Sequence, residues 1–165
     1  MKELTQKTLP MSTLKYALAA GIILLAAPIC RSQTWQVKVI AAVLVAEAGS
    51  QGRDGMEAVG EVIHRRCVDK GRTPLFTVTR QVGSVHAFSC LNRTSVEHLV
   101  ERNWASPAWP LALELADVVV NHPERLGNLT HGATHFTRSD EKPTWAINHK
   151  PVVVIHDHSF YRIPY

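Results

Sequence analysis

Between Val37 and Ala46 the chain carries one charge, Lys38, in an otherwise apolar run, and Ile40, Val43, Leu44 and Glu47 follow the i, i+3, i+4, i+7 spacing of one helix face. Such a helix has to pack that face against other elements. Glu47 therefore lies on, or at the rim of, the packing face.

A Glu is almost never fully buried without a partner, because desolvating a carboxylate costs several kcal/mol or forces its pKa upward. A raised pKa lets a carboxyl hold a proton at neutral pH and deliver it to a leaving group. Equally, such a Glu can accept hydrogen bonds from backbone N–H groups of the following turn, or pair with an Arg. The window alone leaves both readings open.

The 165 residues suit one domain behind an export segment. Lys2, Lys7 and Lys15 precede an uncharged apolar run from Tyr16 to Ala27, short for a membrane span and of the right length for a signal h-region. Cleavage is expected between Ala27 and Ser32, with an uncleaved N-terminal anchor as the alternative. Ile29 stands where a lipobox wants a small residue, which argues against lipid attachment at Cys30. Residues 1–32 are thus read as signal peptide or anchor, and 33–165 as one exported domain of the periplasm or cell envelope, or a secreted one. It is expected to be monomeric and to meet a membrane only through that segment.

Taking the four Lys/Arg and one Asp/Glu of residues 1–32 from the totals of 18 and 14 leaves 14 against 13, so the domain itself is near neutral. No Lys/Arg cluster interleaved with aromatics appears in it, and nucleic acid is not an expected partner. Beyond Ser32 two cysteines remain, Cys67 and Cys90. In an exported chain they permit one disulfide worth about 2–4 kcal/mol, although spacing does not show that their Cα atoms come within reach.

The first helix of the domain is expected from near Gln33 to Ala48, stopping at Gly49 as a left-handed C′ residue. Asp54 and Glu57 form the spacing of a capping box that opens a second helix to about Cys67, with Met56, Val59, Ile63 and Cys67 as its apolar stripe and Gly60 allowing a close backbone approach. The two helices make an αα corner with Glu47 at its mouth. Gly71 to Thr94 reads as a long excursion of short pieces, a kind of segment that is usually functional or ordered by its own side chains. A short helix follows over Ser95 to Arg102. Another starts at Ser106-Pro107, packs through Leu111, Leu115, Val118 and Val119, and runs to Asn121 ahead of Pro123. After Gly127 the period changes: Thr134–Thr137, Val152–Ile155 and His158–Arg162 read as strands, with a tight turn at Asp157. The fold class is α+β, a helical subdomain followed by a small antiparallel sheet.

All nine histidines fall after Ser32, which raises a metal site. His131 and His135 are four apart, but Gly132 and Thr134 do not favour a zincin helix and no Glu follows His131. His156 and His158 would share a strand face and need an added carboxylate. Histidines near turns are commonly hydrogen-bonded surface groups, and no metal is expected. Nor is another cofactor, since there is no Gly-rich phosphate loop; a Gly-x-Ser-x-Gly elbow is also lacking. Cys67 or Cys90 as a thiolate nucleophile lacks a local base. The aromatics Phe88, Trp104, Trp109, Phe136, Trp145, Phe160 and Tyr161 are either core or faces on which sugar rings stack, with Trp145, beside Pro143 and Thr144, the best candidate for a partly exposed one.

Several blocks in order carry a resemblance: Val43-Leu-Val-Ala-Glu47-Ala-Gly49; Gly55-Met-Glu-Ala-Val-Gly-Glu-Val-Ile-His64-Arg65; Ala87-Phe88-Ser89; Gly132-Ala-Thr-His135-Phe136; Pro143-Thr-Trp145-Ala146; and Asp157-His158-Ser-Phe160-Tyr161-Arg162. Together, over roughly residues 38 to 162, they resemble the cell-wall hydrolase family typified by the catalytic domain of the spore cortex-lytic enzyme. The resemblance implies a lysozyme-like α+β domain acting on peptidoglycan glycan strands, cut between N-acetylmuramic acid and N-acetylglucosamine. It places the catalytic Glu at Glu47 and implies a lytic transglycosylase that forms a 1,6-anhydro sugar. The alternatives are a hydrolytic muramidase, an N-acetylmuramoyl-L-alanine amidase, or a non-catalytic peptidoglycan-binding envelope domain. It further implies a groove of Phe88, Ser89, Thr134, His135, Phe136 and Trp145, with His158, Phe160 and Tyr161 closing the sheet beside it and His158 and Tyr161 counted among the substrate contacts. Asp54, Glu57 and Glu61 lie near Glu47 in sequence, yet none has its apolar neighbourhood, which favours a single-acid mechanism. Two departures stand out: His64 where the family usually has Asn, and Cys90 where an aromatic is usual.

Overall fold

A computed structural model of the chain describes residues 35–82 and 85–164; the signal or anchor expected over residues 1–32 lies outside them. Helix α1 spans 35–48, and its residues Val39 to Leu44 are wholly out of water. An apolar helix of this kind is stable only when other elements surround it. Helix α2 (Gly52–Lys70) and helix α5 (Trp109–Asn121) contribute Met56, Val59, Ile63, Leu115 and Val119 to the same core. A Cβ on Gly60 would stand 2.9 Å from Val119 Cγ2, so the expected close approach at this glycine is made by α5.

The corner between α1 and α2 differs from the sequence reading. Helix α1 ends at Ala48 as expected, but Gly49 is not left-handed; it opens a 3-10 turn, Gly49–Gln51, and the positive φ, 67°, falls at Gly52. The capping box is also absent. Gly52 and Arg53 extend α2 upstream, Asp54 sits inside the first turn where its charge suits the helix dipole, and Glu57 instead accepts the Gly127 N–H at 3.1 Å. At its other end α2 runs past Cys67 to Lys70 and is closed by Gly71.

The excursion after α2 is built from helix α3 (Pro74–Thr79), a two-residue hairpin of strands β1 (Gln81–Val82) and β2 (Val85–His86), and a 3-10 turn at Ser89–Leu91. It is tied by its own side chains, as in the bond from His86 N–H to Asn92 Oδ1 at 2.7 Å. Both Cys67 and Cys90 are free thiols, so the disulfide that their number permits is not formed. Cys67 lies on α2 against the Thr77 hydroxyl of α3, 3.3 Å away, while Cys90 in the 3-10 turn faces Glu47.

Helix α4 (Val96–Asn103) is capped by Ser95 as expected, its hydroxyl accepting the His98 N–H at 3.2 Å. Helix α5 begins at Trp109, later than the Ser106-Pro107 start. The Ser106 hydroxyl accepts the Ala108 N–H in a local turn, and Pro110 takes a place in the first helical turn.

Strands β3 (His135–Arg138), β4 (Val153–Ile155) and β5 (His158–Tyr161) form an antiparallel sheet in the order β3-β5-β4, with His135 opposite Tyr161 and Phe136 opposite Phe160. Central β5 is buried at every position. Phe160 packs with Ala58 and Val62 of α2, which joins the sheet to the helices. The arrangement is α+β, helical first and then a small sheet. Buried Glu61 of α2 adds a second tie by accepting the Leu129 N–H and Thr130 N–H, both at 2.8 Å, and the Thr130 hydroxyl at 2.6 Å. Glu61→Ala leaves those buried donors without an acceptor, and an unfolding free energy lower by about 2–4 kcal/mol is expected in urea titration. A loss under about 0.5 kcal/mol would show that water replaces the carboxylate.

Candidate active site

Glu47 projects from the last turn of α1, half-buried, with Oε1 accepting the Cys90 N–H at 3.3 Å. Burial pushes its carboxyl above the ordinary carboxylate range; hydrogen bonds from the Cys90 thiol and N–H, and the positive charge of Arg66, act in the opposite direction without cancelling the rise. The C-terminal end of a helix disfavours negative charge as well.

Glu47 opens into a cavity of about 520 Å³. One wall is the helical corner, with Ala46, Ser50 and Gln51. The other comes from the sheet and the loop after β3, with Phe136, Arg138, Glu141, Trp145, Asp157 and His158. The walls are joined directly, since the Gln51 amide lies against His158 Nδ1 with Nε2 at 2.9 Å and Oε1 at 3.2 Å. Burial lowers the pKa of His158, so its ring is neutral at neutral pH. Phe136 meets that ring edge-on, with centroids 5.2 Å apart.

Arg66 supports the floor. Its Nε donates to the Thr134 carbonyl at 2.7 Å, and its guanidinium lies 5.1 Å from the centroid of the Phe88 ring. Phe88 is 2 % exposed, so it borders the cavity as a core ring with almost no free surface.

Of the residues expected at the site, Glu47, Phe88, Ser89, Phe136, Trp145 and His158 line this one cavity. His135 lines a neighbouring, smaller one. Burial, then Arg66 and His149, push the pKa of His135 down to about 4. Thr134 and Tyr161 line neither cavity. The Thr134 hydroxyl donates to the Ile163 carbonyl at 2.9 Å and lies 2.9 Å from His135 Nδ1, while Tyr161 is buried edge-on to Trp145 at 5.4 Å. They hold the ring-bearing residues in place.

Sequence reasoning missed Gln51, Arg66, Arg138, Glu141 and Asp157. Arg66 had a signal: it follows Val59 and Ile63 at helical spacing, a charge placed on an apolar stripe. Glu141 had none, because it is remote in sequence from Glu47 and reaches the cavity only through the fold, whereas Asp157 stands beside His158 in one of the resemblance blocks but reads there only as a turn residue. Among the described residues no group of three or more His, Cys, Asp or Glu side chains is placed to hold a metal ion.

Comparison with known families matches residues 50–161 to the model described as Cell Wall Hydrolase, and the chain belongs to that family of peptidoglycan-cleaving enzymes. The match begins just after Glu47, which it does not include. Neither the curated proteins nor the solved structures gave a match.

Because the folded-state pKa of Glu47 lies above the unfolded value, the folded protein holds this proton more tightly. The cost of ionising it is absent below the unfolded carboxylate range and grows as pH rises through the folded-state pKa. Glu47→Gln removes that cost, so the variant is expected to melt at least as high as the parent at about pH 7, with the gain gone at about pH 3. A melting temperature several degrees lower at neutral pH would contradict the assigned burial cost.

Proposed function

We propose that the chain cleaves peptidoglycan glycan strands between N-acetylmuramic acid and N-acetylglucosamine as a lytic transglycosylase, with Glu47 as acid and then base. The observation that carries the reading is a half-buried carboxyl, held toward its protonated form, at one wall of an open cavity that also presents Phe136 and Trp145. Sugar rings stack their C–H faces on such side chains. Glu47 would donate its proton to the glycosidic oxygen as the bond from that oxygen to C1 of muramic acid breaks. The C6 hydroxyl of the same sugar then bonds to C1, and the Glu47 carboxylate takes its proton, closing the anhydro ring and restoring the acid. The nucleophile is already held on the substrate, so a second carboxylate is unnecessary.

Glu141 and Asp157 on the facing wall favour one second reading, a hydrolytic muramidase in which either activates water. Paired carboxylates serve hydrolysis at separations of about 5–5.5 Å or 6.5–9.5 Å. Delivery to the wall by residues 1–32 belongs to the same proposal.

Purified chain incubated with sacculi is expected to release muropeptides lighter by one water than hydrolysed ones, and Glu47→Gln to lower that release at least about 100-fold. Reducing muramic ends would establish the hydrolase instead, and new peptide termini an amidase. Activity of Glu47→Gln within a few-fold of the parent would remove Glu47 from the chemistry.

A further inference from the structure

Gln51 ends the 3-10 turn at the helical corner, His158 opens the central strand β5, and both side chains line the groove. Their contact is confined to one ring nitrogen: the amide Nε2 stands 2.9 Å from His158 Nδ1, and Oε1 stands 3.2 Å from the same atom. Among the described residues neither side chain makes another hydrogen bond. That leaves the imidazole Nε2 without a protein partner. It is not sealed in either, because the Thr94 hydroxyl is the one buried side-chain nitrogen or oxygen among the described residues that lacks a partner. His158 is only 5 % exposed, so the small surface it offers includes this nitrogen.

A neutral imidazole has one N–H and one lone pair, and the bond made at one nitrogen decides what the other can do. The shorter contact is that of the amide nitrogen, which donates to a lone pair on Nδ1 and so leaves the ring proton on Nε2. The charges of the groove favour the same tautomer. A lone pair opening onto the sheet wall would face the carboxylates of Asp157 and Glu141, whereas an N–H is attracted by them. Of the charges acting on the ring Asp157 is the strongest; Arg138 opposes it, Glu141 adds to it, and Glu47 and Arg66 face the groove from the helical side. Burial keeps the ring neutral, and an uncharged donor matches the uncharged oxygens of a sugar.

We propose that Gln51 is a positioning residue that holds His158 in its Nε2–H tautomer, and that this N–H donates to a hydroxyl or acetamido oxygen of the glycan in the groove. The substrate contact rests on the glycan-cleaving reading; the tautomer does not. The tie between the two walls needs no substrate, and it leaves the far nitrogen as the one polar group of the ring for binding. A donor fixed before the strand arrives spares the ring the cost of being ordered on binding.

Nitrogen-15 NMR of the full chain with labelled histidines, assigned through the backbone, reads the tautomer directly, because a ring nitrogen bearing a proton and one bearing a lone pair differ widely in shift. At about pH 8, where the ring is neutral, the parent is expected to carry its proton on Nε2. Gln51→Met keeps the length of the side chain, loses the amide, and is expected to give a mixture of the two tautomers. In a Glu47→Gln background, where turnover is blocked, Gln51→Met should bind a soluble tetrasaccharide of alternating N-acetylglucosamine and N-acetylmuramic acid about three- to tenfold more weakly. The same change should cost less than about twofold once His158→Phe is present, since Gln51 acts through that ring. A parent ring protonated at Nδ1, or an Nε2–H tautomer that Gln51→Met leaves intact, would overturn the role of Gln51. Unchanged affinity in Gln51→Met, or an equal loss with and without His158, would overturn the contact. If the Glu47→Gln chain binds no glycan, the contact falls with the glycan reading, while the tautomer, read without ligand, still decides the role of Gln51.

Discussion

The removal of the Glu47 carboxyl from water is the constraint on which the site depends, and it begins with the burial of α1. Because Val39 to Leu44 are fully enclosed, the helix cannot shift or roll to carry its last turn outward. The 3-10 turn at Gly49–Gln51 then folds the chain back, and the Cys90 segment closes over the carboxyl from the other side. Two hydrogen-bonding groups of Cys90 and the charge of Arg66 keep the ionised form accessible, while desolvation favours the neutral one. A group that must give a proton and take another back needs both forms within reach.

The second requirement is a facing wall at a fixed distance, and the tertiary ties supply it. Phe160 packs on α2, Glu61 clamps the Leu129–Thr130 backbone, and Gln51 meets His158 across the mouth of the corner. None of these three needs to touch substrate. They set where Phe136, Trp145, Glu141 and Asp157 stand relative to Glu47, and mobility in such a frame would cost catalysis through misplacement rather than through lost chemistry.

Much of this was legible in the chain, for identifiable reasons. The helical stripes of α1 and α2, the close approach at Gly60 and the change of period after Gly127 are local patterns, and they brought out the helical subdomain, the sheet and the place of Glu47 at the rim of the packing face. Caps were less legible. Asp54 and Glu57 have the spacing of a capping box, yet Glu57 bonds the backbone of Gly127, a partner that only the tertiary fold supplies. The same holds for charge: Arg66, Lys70, Arg72 and Arg80 form no cluster along the sequence, but the turn between α2 and α3 collects them around one recess. The two other carboxylates at the cavity, Glu141 and Asp157, are far from Glu47 in sequence and stand in turns that flank the sheet strands. The aromatic groove divided in a similar way, since alternation along β3 and β5 does not by itself tell a ring that faces the cavity from one that props it, as Phe136 and Tyr161 do.

The acid role proposed for Glu47 requires a carboxyl whose proton is held by burial. Carbon-13 NMR titration of the side-chain carboxyl carbon of Glu47, assigned by its loss in Glu47→Gln, measures that directly. A midpoint clearly above those of the solvent-exposed glutamates in the same spectrum is expected. A midpoint at or below theirs would mean that Cys90 and Arg66 outweigh desolvation, and that Glu47 enters the reaction as an anion instead of an acid.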